Sequence, residues 1–438
     1  MTEIELIQLS PNDKYTFHLY HGGLLIGYPE QENNKWYIVN RNQSNKESTA
    51  GSIGHLILPE QIDKIEPIYP RNKQRVTPNP PSYVIEGSPK TKIMVIFGAG
   101  ASLDYTFDQE DSVRPPLGND LFSDTFSNLI SQFKGVESLS SQILQSKNIE
   151  IFFQEQWNNI KNTHNPKLLN KLIDTQYYLH YLFRHLSTTC RNNRKNNYSS
   201  FFQSLENYLI TKGWDEKAMI VSFNYDTLIE NALSHSLDYT FTDFGDYINY
   251  KNSRFLLFKP HGSWNWVRYI SEKFLDSINF NYVEKNLLEL RQTLIQKGIS
   301  LSKINEHLDE GMAIINKDLR TNQGFYYPML LIPYKKKDSF IMPELHFTAM
   351  QHFMKTVEKI IIIGWKGSEE KFKSLLAKNI GSKKIEIIYV TKNDSSIEQE
   401  LKESLPNASF SNFSHQKESK GTFTELNQFI QEFPNRIF

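Results

Sequence analysis

The chain has 438 residues, with 49 Lys plus Arg balanced by 49 Asp plus Glu, and that zero net charge excludes whole-molecule attraction to nucleic acid or anionic lipid. Hydrophobic residues at 39% and aromatics at 13% supply a packed core, yet no apolar run approaches the roughly 20 residues that cross a bilayer. The single cysteine, Cys190, excludes an internal disulfide and an all-cysteine metal site, and the opening Met1-Thr2-Glu3-Ile4-Glu5 lacks signal-peptide order, so the sequence predicts a cytoplasmic protein with no membrane segment.

The first 70 residues read as short strands separated by turns. Tyr15 to Tyr20 alternates, His21-Gly22-Gly23 breaks the pattern, and Leu24 to Tyr28 and Lys35 to Val39 follow as further strands. Pro70, Pro78, Pro80, Pro81 and Pro89 crowd the next stretch and predict an extended linker. Residues 1–85 are therefore expected to form a small β-rich domain with its linker, and residues 86–438 a second domain.

Beyond the linker the pattern changes. Lys92 to Phe97, Ala218 to Val221, Phe255 to Phe258, Ile360 to Ile363 and Ile385 to Val390 are short apolar runs, which suits strands covered on both faces. Helical stretches such as Leu168 to Leu186 and Tyr282 to Leu308 lie between them. The alternation predicts an α/β fold: a doubly wound, Rossmann-like parallel sheet with large helical insertions at about 120–215 and 270–322. Within the first insertion, Tyr177, Tyr178, Tyr181, Leu182 and His185 recur at helical spacing and predict a packing face, with His180 and Arg184 on another.

Each apolar run ends in small or polar residues: Gly98-Ala99-Gly100-Ala101-Ser102, Asn224-Tyr225-Asp226, His261-Gly262-Ser263, Gly364 to Ser368, and Thr391-Lys392-Asn393. In parallel α/β sheets the carboxyl ends of the strands share one edge, where ligands bind, so these five tips are expected to converge. The glycine-rich segment lets a backbone approach a phosphate at a helix start, or else makes a tight turn with no ligand. Its third small position is taken by Leu103, and Arg114 to Phe122 reads as a loop entering a helix. The strand ending in an acid that a hydride-transfer domain needs is missing there, so that class is disfavoured. Asn224 and Asp226 can orient a hydroxyl or a water, or one of them can cap the helix beginning near Thr227, with Glu230 in its first turns. His261 can take a proton near neutral pH. Trp264 and Trp266 read as core or pocket wall, Lys335-Lys336-Lys337 as a solvated charge run, and Arg191 to Lys195 as an exposed loop.

In this order, Gly98 to Ser102, Asn224-Tyr225-Asp226, His261-Gly262-Ser263 and the strand end at Gly364 resemble the sirtuin-like proteins, and within them the bacterial sirtuin-like NAD-hydrolysing domains of antiphage defence. The resemblance covers roughly residues 88 to 395. It implies that residues 98–102 hold the pyrophosphate, that Asn224 and Asp226 position the nicotinamide ribose or the attacking water, and that His261 is the catalytic histidine. Gly364, Ser368 and Thr391 would meet the adenosine half. The sequence departs from the family at Asp104 and Arg114-Pro115-Pro116, where the nicotinamide cover is spaced differently, and at Trp365-Lys366, which interrupts the small-residue turn. It also lacks the four cysteines of the deacetylases' zinc module, so no metal is expected. The resemblance thus implies an NAD+ glycohydrolase that releases nicotinamide and ADP-ribose, or a cyclic isomer, and depletes NAD in abortive antiphage defence. A non-catalytic NAD or ADP-ribose sensor is the second reading, and a zinc-free protein deacylase the third. As family-level partners, a homo-oligomer or a second defence-system protein is expected, with assembly through residues 1–85 or the helical insertions.

Overall fold

The computed structural model describes residues 90–438, apart from 107–113, 147, 164, 191–195, 214–215, 250–252, 279–286, 300–306, 309–310, 316–324, 334–339, 391–395 and 414–421, together with five strands before residue 70. The chain divides into two compact units, Met1–Glu86 and Gly87–Phe438.

In the first unit β1 (Lys14–Leu19), β2 (Leu24–Glu32), β3 (Lys35–Val39), β4 (His55–Ile57) and β5 (Ile62–Ile68) form one antiparallel sheet in the order β4-β3-β2-β1-β5. β2 runs past the expected end at Tyr28 because β3 pairs along it from Tyr28↔Val39 to Glu32↔Lys35. β4 and β5 carry no alternation strong enough to announce them from sequence. The proline-rich linker lies outside the described residues.

The second unit opens with β6 (Lys90–Phe97), β7 (Glu216–Ser222) and β8 (Phe255–Phe258). A small antiparallel sheet follows, with β9 (Gly262–Tyr269) between β10 (Ala313–Ile314) and β11 (Tyr326–Leu330). β12 (Lys359–Ile363), β13 (Ile385–Val390) and β14 (Ala408–Asn412) complete the main sheet. All six main strands are parallel, in the order β14-β13-β12-β6-β7-β8. The chain therefore winds outward from β6 through β7 to β8, returns to the middle at β12, and winds the other way. That is the doubly wound order, and its direction reverses between β6 and β12.

The apolar runs are continuous because both faces of the sheet are covered. Val95, Phe97, Ile361 and Ile363 pack into one layer, and Met94, Ile96, Ile360 and Ile362 into the other. On the first face lie α1 (Ala99–Leu103), α5 (Asn197–Lys212), α6 (Leu228–Leu237) and α9 (Phe423–Glu432); on the second lie α7 (Glu344–Met354) and α8 (Glu370–Ile380). Phe97 is met edge-on by Tyr198, Phe201 and Phe202 at 5.1–5.9 Å. Burial of a ring of this kind contributes about 1.5–3 kcal/mol.

Between β6 and β7 the insertion folds as α2 (Lys134–Gln145), α3 (Ile149–Thr163) and α4 (Pro166–Cys190), which pack with the small sheet around a third core. Tyr177, Tyr178 and Leu182 of α4 are buried there as expected, but His185 is exposed, because Leu186, four residues after Leu182, takes the inward place. Of the second expected helical stretch the structure describes Leu287–Gln296, with Gly298, at φ +59°, following its end; 282–286 and 300–306 lie outside the described residues.

His180, not His185, is the structural histidine of α4. Its Nδ1–H donates to the Trp264 carbonyl at 2.8 Å, and Tyr326 Oη–H donates to its Nε2 at 3.4 Å, which fastens α4 to β9 and β11. His346 of α7 donates from Nε2 to the Phe244 carbonyl at 2.7 Å. Burial, partly opposed by these carbonyls, pushes His180 down to about 3 and His346 down to about 4. An unfolded histidine takes up its proton near pH 6.5, so the stabilisation from keeping each ring neutral is complete above that pH and is lost as pH falls toward 4. Each ring contributes a slope of up to about 1.4 kcal/mol per pH unit. Urea midpoints between pH 7 and 4.5 should therefore fall less steeply in His180→Gln than in wild type; parallel slopes would refute the assignment.

Candidate functional site at the carboxyl edge of the sheet

At the reversal point the tips of β6 and β12 touch backbone to backbone. Gly98 N–H donates to the Ile363 carbonyl at 3.0 Å, and Gly100 N–H to the Gly364 carbonyl at 3.1 Å. A Cβ on Gly364, whose φ is +64°, would stand 2.3 Å from Ala101 N, and one on Gly98 would stand 2.5 Å from the Gly364 oxygen. These glycines first serve to bring the two strand tips together. Gly98, Ala101 and Ser102 are buried and Ala99 is the exposed member of the segment. Gly364→Ala is expected to destabilise the protein by about 2–3 kcal/mol, from the left-handed φ plus the overlap. Thermal melting would show it, and an unchanged melting point would mean that the tips separate freely.

Behind this junction sits a hydrogen-bonded polar cluster. Asn224, at the end of β7, donates from Nδ2 to the Gly98 carbonyl at 3.0 Å and to Ser102 Oγ at 2.9 Å. Ser102 Oγ–H in turn donates to Asp226 Oδ2 at 2.8 Å and lies 3.0 Å from Tyr198 Oη. Because the Gly98 carbonyl only accepts, the Asn224 atom facing it must be the amide nitrogen. Both amide hydrogens are thereby committed inward, and Asn224 can offer a ligand only its carbonyl oxygen, an acceptor for a hydroxyl or a water.

Asp226 is engaged on both oxygens. Oδ1 accepts from the Leu228 amide at 3.1 Å at the start of α6, while Oδ2 holds Ser102. Neither residue is the N-cap of α6, which is Thr227 with no side-chain capping bond; Asp226, one residue earlier, takes the Leu228 amide alone. Burial raises the Asp226 pKa, against the pull of Lys259 and of the two donors. Asp226 can thus act on a ligand through Ser102 and Asn224.

His261 follows β8 in a tight turn. Gly262 takes φ +77°, and a Cβ there would come 2.2 Å from the Met329 oxygen, so only glycine lets β9 start so close to β11. The buried imidazole packs at 4.9 Å from the Phe223 ring and 6.3 Å from Tyr225. Phe223 stacks on Trp365 at 5.2 Å and 10°, and Trp365 Nε1–H donates to Glu369 at 2.5 Å. The indole after Gly364 is therefore a buried wall bridging the β7 and β12 tips. Trp264 and Trp266 are buried in β9, as expected of core residues.

Four of the expected tips thus lie on one edge. Gly98 to Ser102 and Asn224 are in direct contact, Asp226 joins them through Ser102, and His261 joins through Phe223 and Tyr225. Gly364 meets the β6 loop, while Ser368 is half-buried with its hydroxyl 3.4 Å from Glu369 Oε2. Thr391, like Lys335 to Lys337 and Arg191 to Lys195, lies outside the described residues. Asp104 instead braces the fold, because its Oδ2 accepts from the Phe423 amide at 2.8 Å, at the start of α9. Tyr198 was not foreseen, since nothing in the sequence of α5 links it to Ser102. The buried ion pair of Lys259 with Glu230, at 2.9 Å, was signalled only by a lysine directly after four apolar residues. Among the described residues no group of three or more His, Cys, Asp or Glu is placed to hold a metal ion, and no helix is long and apolar enough to cross a membrane.

No known family model matches the chain, and no curated protein matches it. Among solved structures, the chain is similar to a Sir2 homologue in complex with NAD, at 13% identity over 79% of this chain and 91% of that one, with a TM-score of 0.34. It is also similar to a mutant Sir2 homologue in complex with ADP-ribose, at 14% identity over 81% of this chain and 98% of that one, with a TM-score of 0.36. A triple mutant bound to 2′-O-acetyl ADP-ribose gives 14% identity over 79% and 94%, with a TM-score of 0.35. The fold class rests on the strand order described above rather than on these alignments.

Proposed function

We propose that the chain is an NAD+ glycohydrolase working at the carboxyl edge of the β6–β7–β8 strands. The observation that carries the reading is the delivery of Asn224 and His261, from adjacent parallel strands, beside the glycine-rich segment at the reversal of the sheet. Sheets of this order take dinucleotides at that reversal.

In this reading Gly98 to Ser102 lie along the pyrophosphate, and Gly364, Ser368 and Thr391 lie toward the adenosine half. The bond from ribose C1′ to the nicotinamide nitrogen breaks with its electron pair leaving on nicotinamide. Nicotinamide departs neutral, so the step calls for neither a strong acid nor a metal. The C1′ centre becomes oxocarbenium-like, and water adds to it and loses a proton. The Asn224 carbonyl accepts a hydrogen bond from that water or from a ribose hydroxyl, and His261 takes the proton. Water and NAD+ yield nicotinamide, ADP-ribose and a proton; capture of C1′ by a nitrogen of the adenine would give the cyclic isomer instead. Asp226 holds Ser102 and, through it, the Asn224 side chain.

The purified protein would be incubated with NAD, alone and with lysate from phage-infected cells, and nicotinamide release followed by chromatography. Release in either condition supports the hydrolase. NAD binding without release in both would replace it with the sensor reading, and deacylation of an acylated peptide coupled to release would indicate the deacylase. Release confined to infected lysate would further support a cytoplasmic role in antiphage defence, with residues 1–85 or the insertions restraining the enzyme through an oligomer or a second protein.

A further inference from the structure

The turn that carries His261 is held from below by a group that the reaction above does not use. Lys259 precedes His261 by two residues, and Ser263 follows it by two. Across the turn Lys259 Nζ donates to Ser263 Oγ at 2.8 Å, while Gly262 N–H donates to the Lys259 carbonyl at 3.0 Å. The same ammonium donates to the Asp226 carbonyl at 2.5 Å and to Glu230 Oε1 at 2.9 Å. Its three hydrogens are therefore all used: one on the β8–β9 turn, one on the β7 tip and one on α6.

The pair is deeply buried, with side-chain exposures of 1% for Lys259 and 6% for Glu230. Tyr247 Oη–H also donates to Glu230 Oε1, at 3.1 Å, whereas Glu230 Oε2 has no hydrogen-bond partner among the described residues. A buried ion pair is a poor source of stability, because desolvation offsets its attraction, and well-packed apolar residues of the same volume often do as well or better. Packing alone gives no reason for a charge here. What an apolar side chain could not do is hold the Asp226 carbonyl and the Ser263 hydroxyl at once. Those two contacts add to the direct bonds from the Trp264 amide, at 2.9 Å, and the Ser263 hydroxyl, at 3.3 Å, to the Tyr225 carbonyl, and extend the tie between the turn and the β7 tip to Asp226 itself.

We infer that Lys259, paired with Glu230, is a positioning residue that clamps the β7 tip to the His261 turn; its effect on turnover rests on the glycohydrolase reading above. The decisive variant is the double replacement Lys259→Met with Glu230→Leu, which removes both members of the pair together; Asp226 loses the pull of Lys259 but keeps its bonds from Ser102 and the Leu228 amide. Three quantities are measured beside wild type: melting temperature, kcat and KM for nicotinamide release, and amide exchange in peptides covering 224–228 and 259–263.

The clamp predicts a melting temperature at or near the wild-type value with kcat lower by about 10²-fold, the cost of a displacement of the order of 1 Å, and KM within about twofold. It also predicts exchange about tenfold faster at both tips, as for the loss of one hydrogen bond. A double variant that regains wild-type kcat and exchange along with its melting temperature would overturn the inference and leave the pair a fold anchor. If wild type releases no nicotinamide, the glycohydrolase reading fails, and exchange alone decides the clamp: faster at both tips upholds it, unchanged overturns it. If the double variant does not fold, Ser263→Ala, which removes one hydroxyl and keeps the ion pair, decides by the same exchange at 259–263.

Discussion

His261→Ala is expected to lower kcat for nicotinamide release by about 10³-fold, or about 4 kcal/mol of transition-state stabilisation, within the range of a lost general base. ADP-ribose affinity should change by no more than about threefold, because the proton is released only as water adds to C1′ and the bound ground state does not need the imidazole. The imidazole packs against Phe223 at 4.9 Å and Tyr225 at 6.3 Å, so alanine leaves a space lined by rings rather than a collapsed turn. The turn itself is fixed independently, by the Gly262 amide on the Lys259 carbonyl and the Leu331 amide on the His261 carbonyl, each at 3.0 Å. Added imidazole should enter that space and restore part of the rate, which no loss of packing would allow. Titration calorimetry with ADP-ribose and a nicotinamide assay with and without imidazole make the check. If affinity and turnover fall together and imidazole restores nothing, His261 binds or supports the fold and takes no proton.

The main sheet was legible because its strands are covered on both faces: Ile360 to Ile363 alternates between the two helical layers, and no residue of the run can be polar. The same physics hid β14, an edge strand whose Ala-Ser-Phe-Ser-Asn sequence is only partly buried and shows no apolar run. β9 was hidden differently. Its aromatic residues fitted a core, but antiparallel pairing with β11 follows from the Gly262 turn and not from any local period. At the site, the groups at strand ends were visible from chain order alone, since a parallel sheet brings every carboxyl end to one edge. Their partners were not. Tyr198 reaches Ser102 from α5, and Lys259 reaches Glu230 across the β7–α6 connection, contacts between segments that no spacing rule joins. Gly364 reads from sequence as a ligand contact, and the overlap that a Cβ there would make with Ala101 shows a more basic demand, the packing of β12 on β6, which is visible only when the two strands are neighbours.

Asn224→Asp should be nearly as inactive at pH 8 as Asn224→Ala, with both down by about 10²–10³-fold, although the aspartate keeps the acceptor that the ligand would meet. The reason lies on the inner side of the residue. Asn224 spends two N–H bonds on the Gly98 carbonyl, at 3.0 Å, and on Ser102 Oγ, at 2.9 Å. A carboxylate would set an oxygen against that carbonyl and compete with Asp226 for the single Ser102 hydroxyl. Two buried carboxylates joined through one hydroxyl cannot both stay charged without cost, and burial already raises the Asp226 pKa. Taking up one proton would relieve the repulsion and let the new carboxylic acid donate to Gly98. The ratio of variant to wild-type kcat should therefore rise as pH falls from 8 to 5.5, and taking the ratio cancels any titration the two enzymes share. Recovery stays incomplete, since one acid hydrogen replaces two amide hydrogens. A pH-independent ratio with the aspartate variant close to wild type would show that only the outward acceptor matters and that the inward bonds to Gly98 and Ser102 do not set the site.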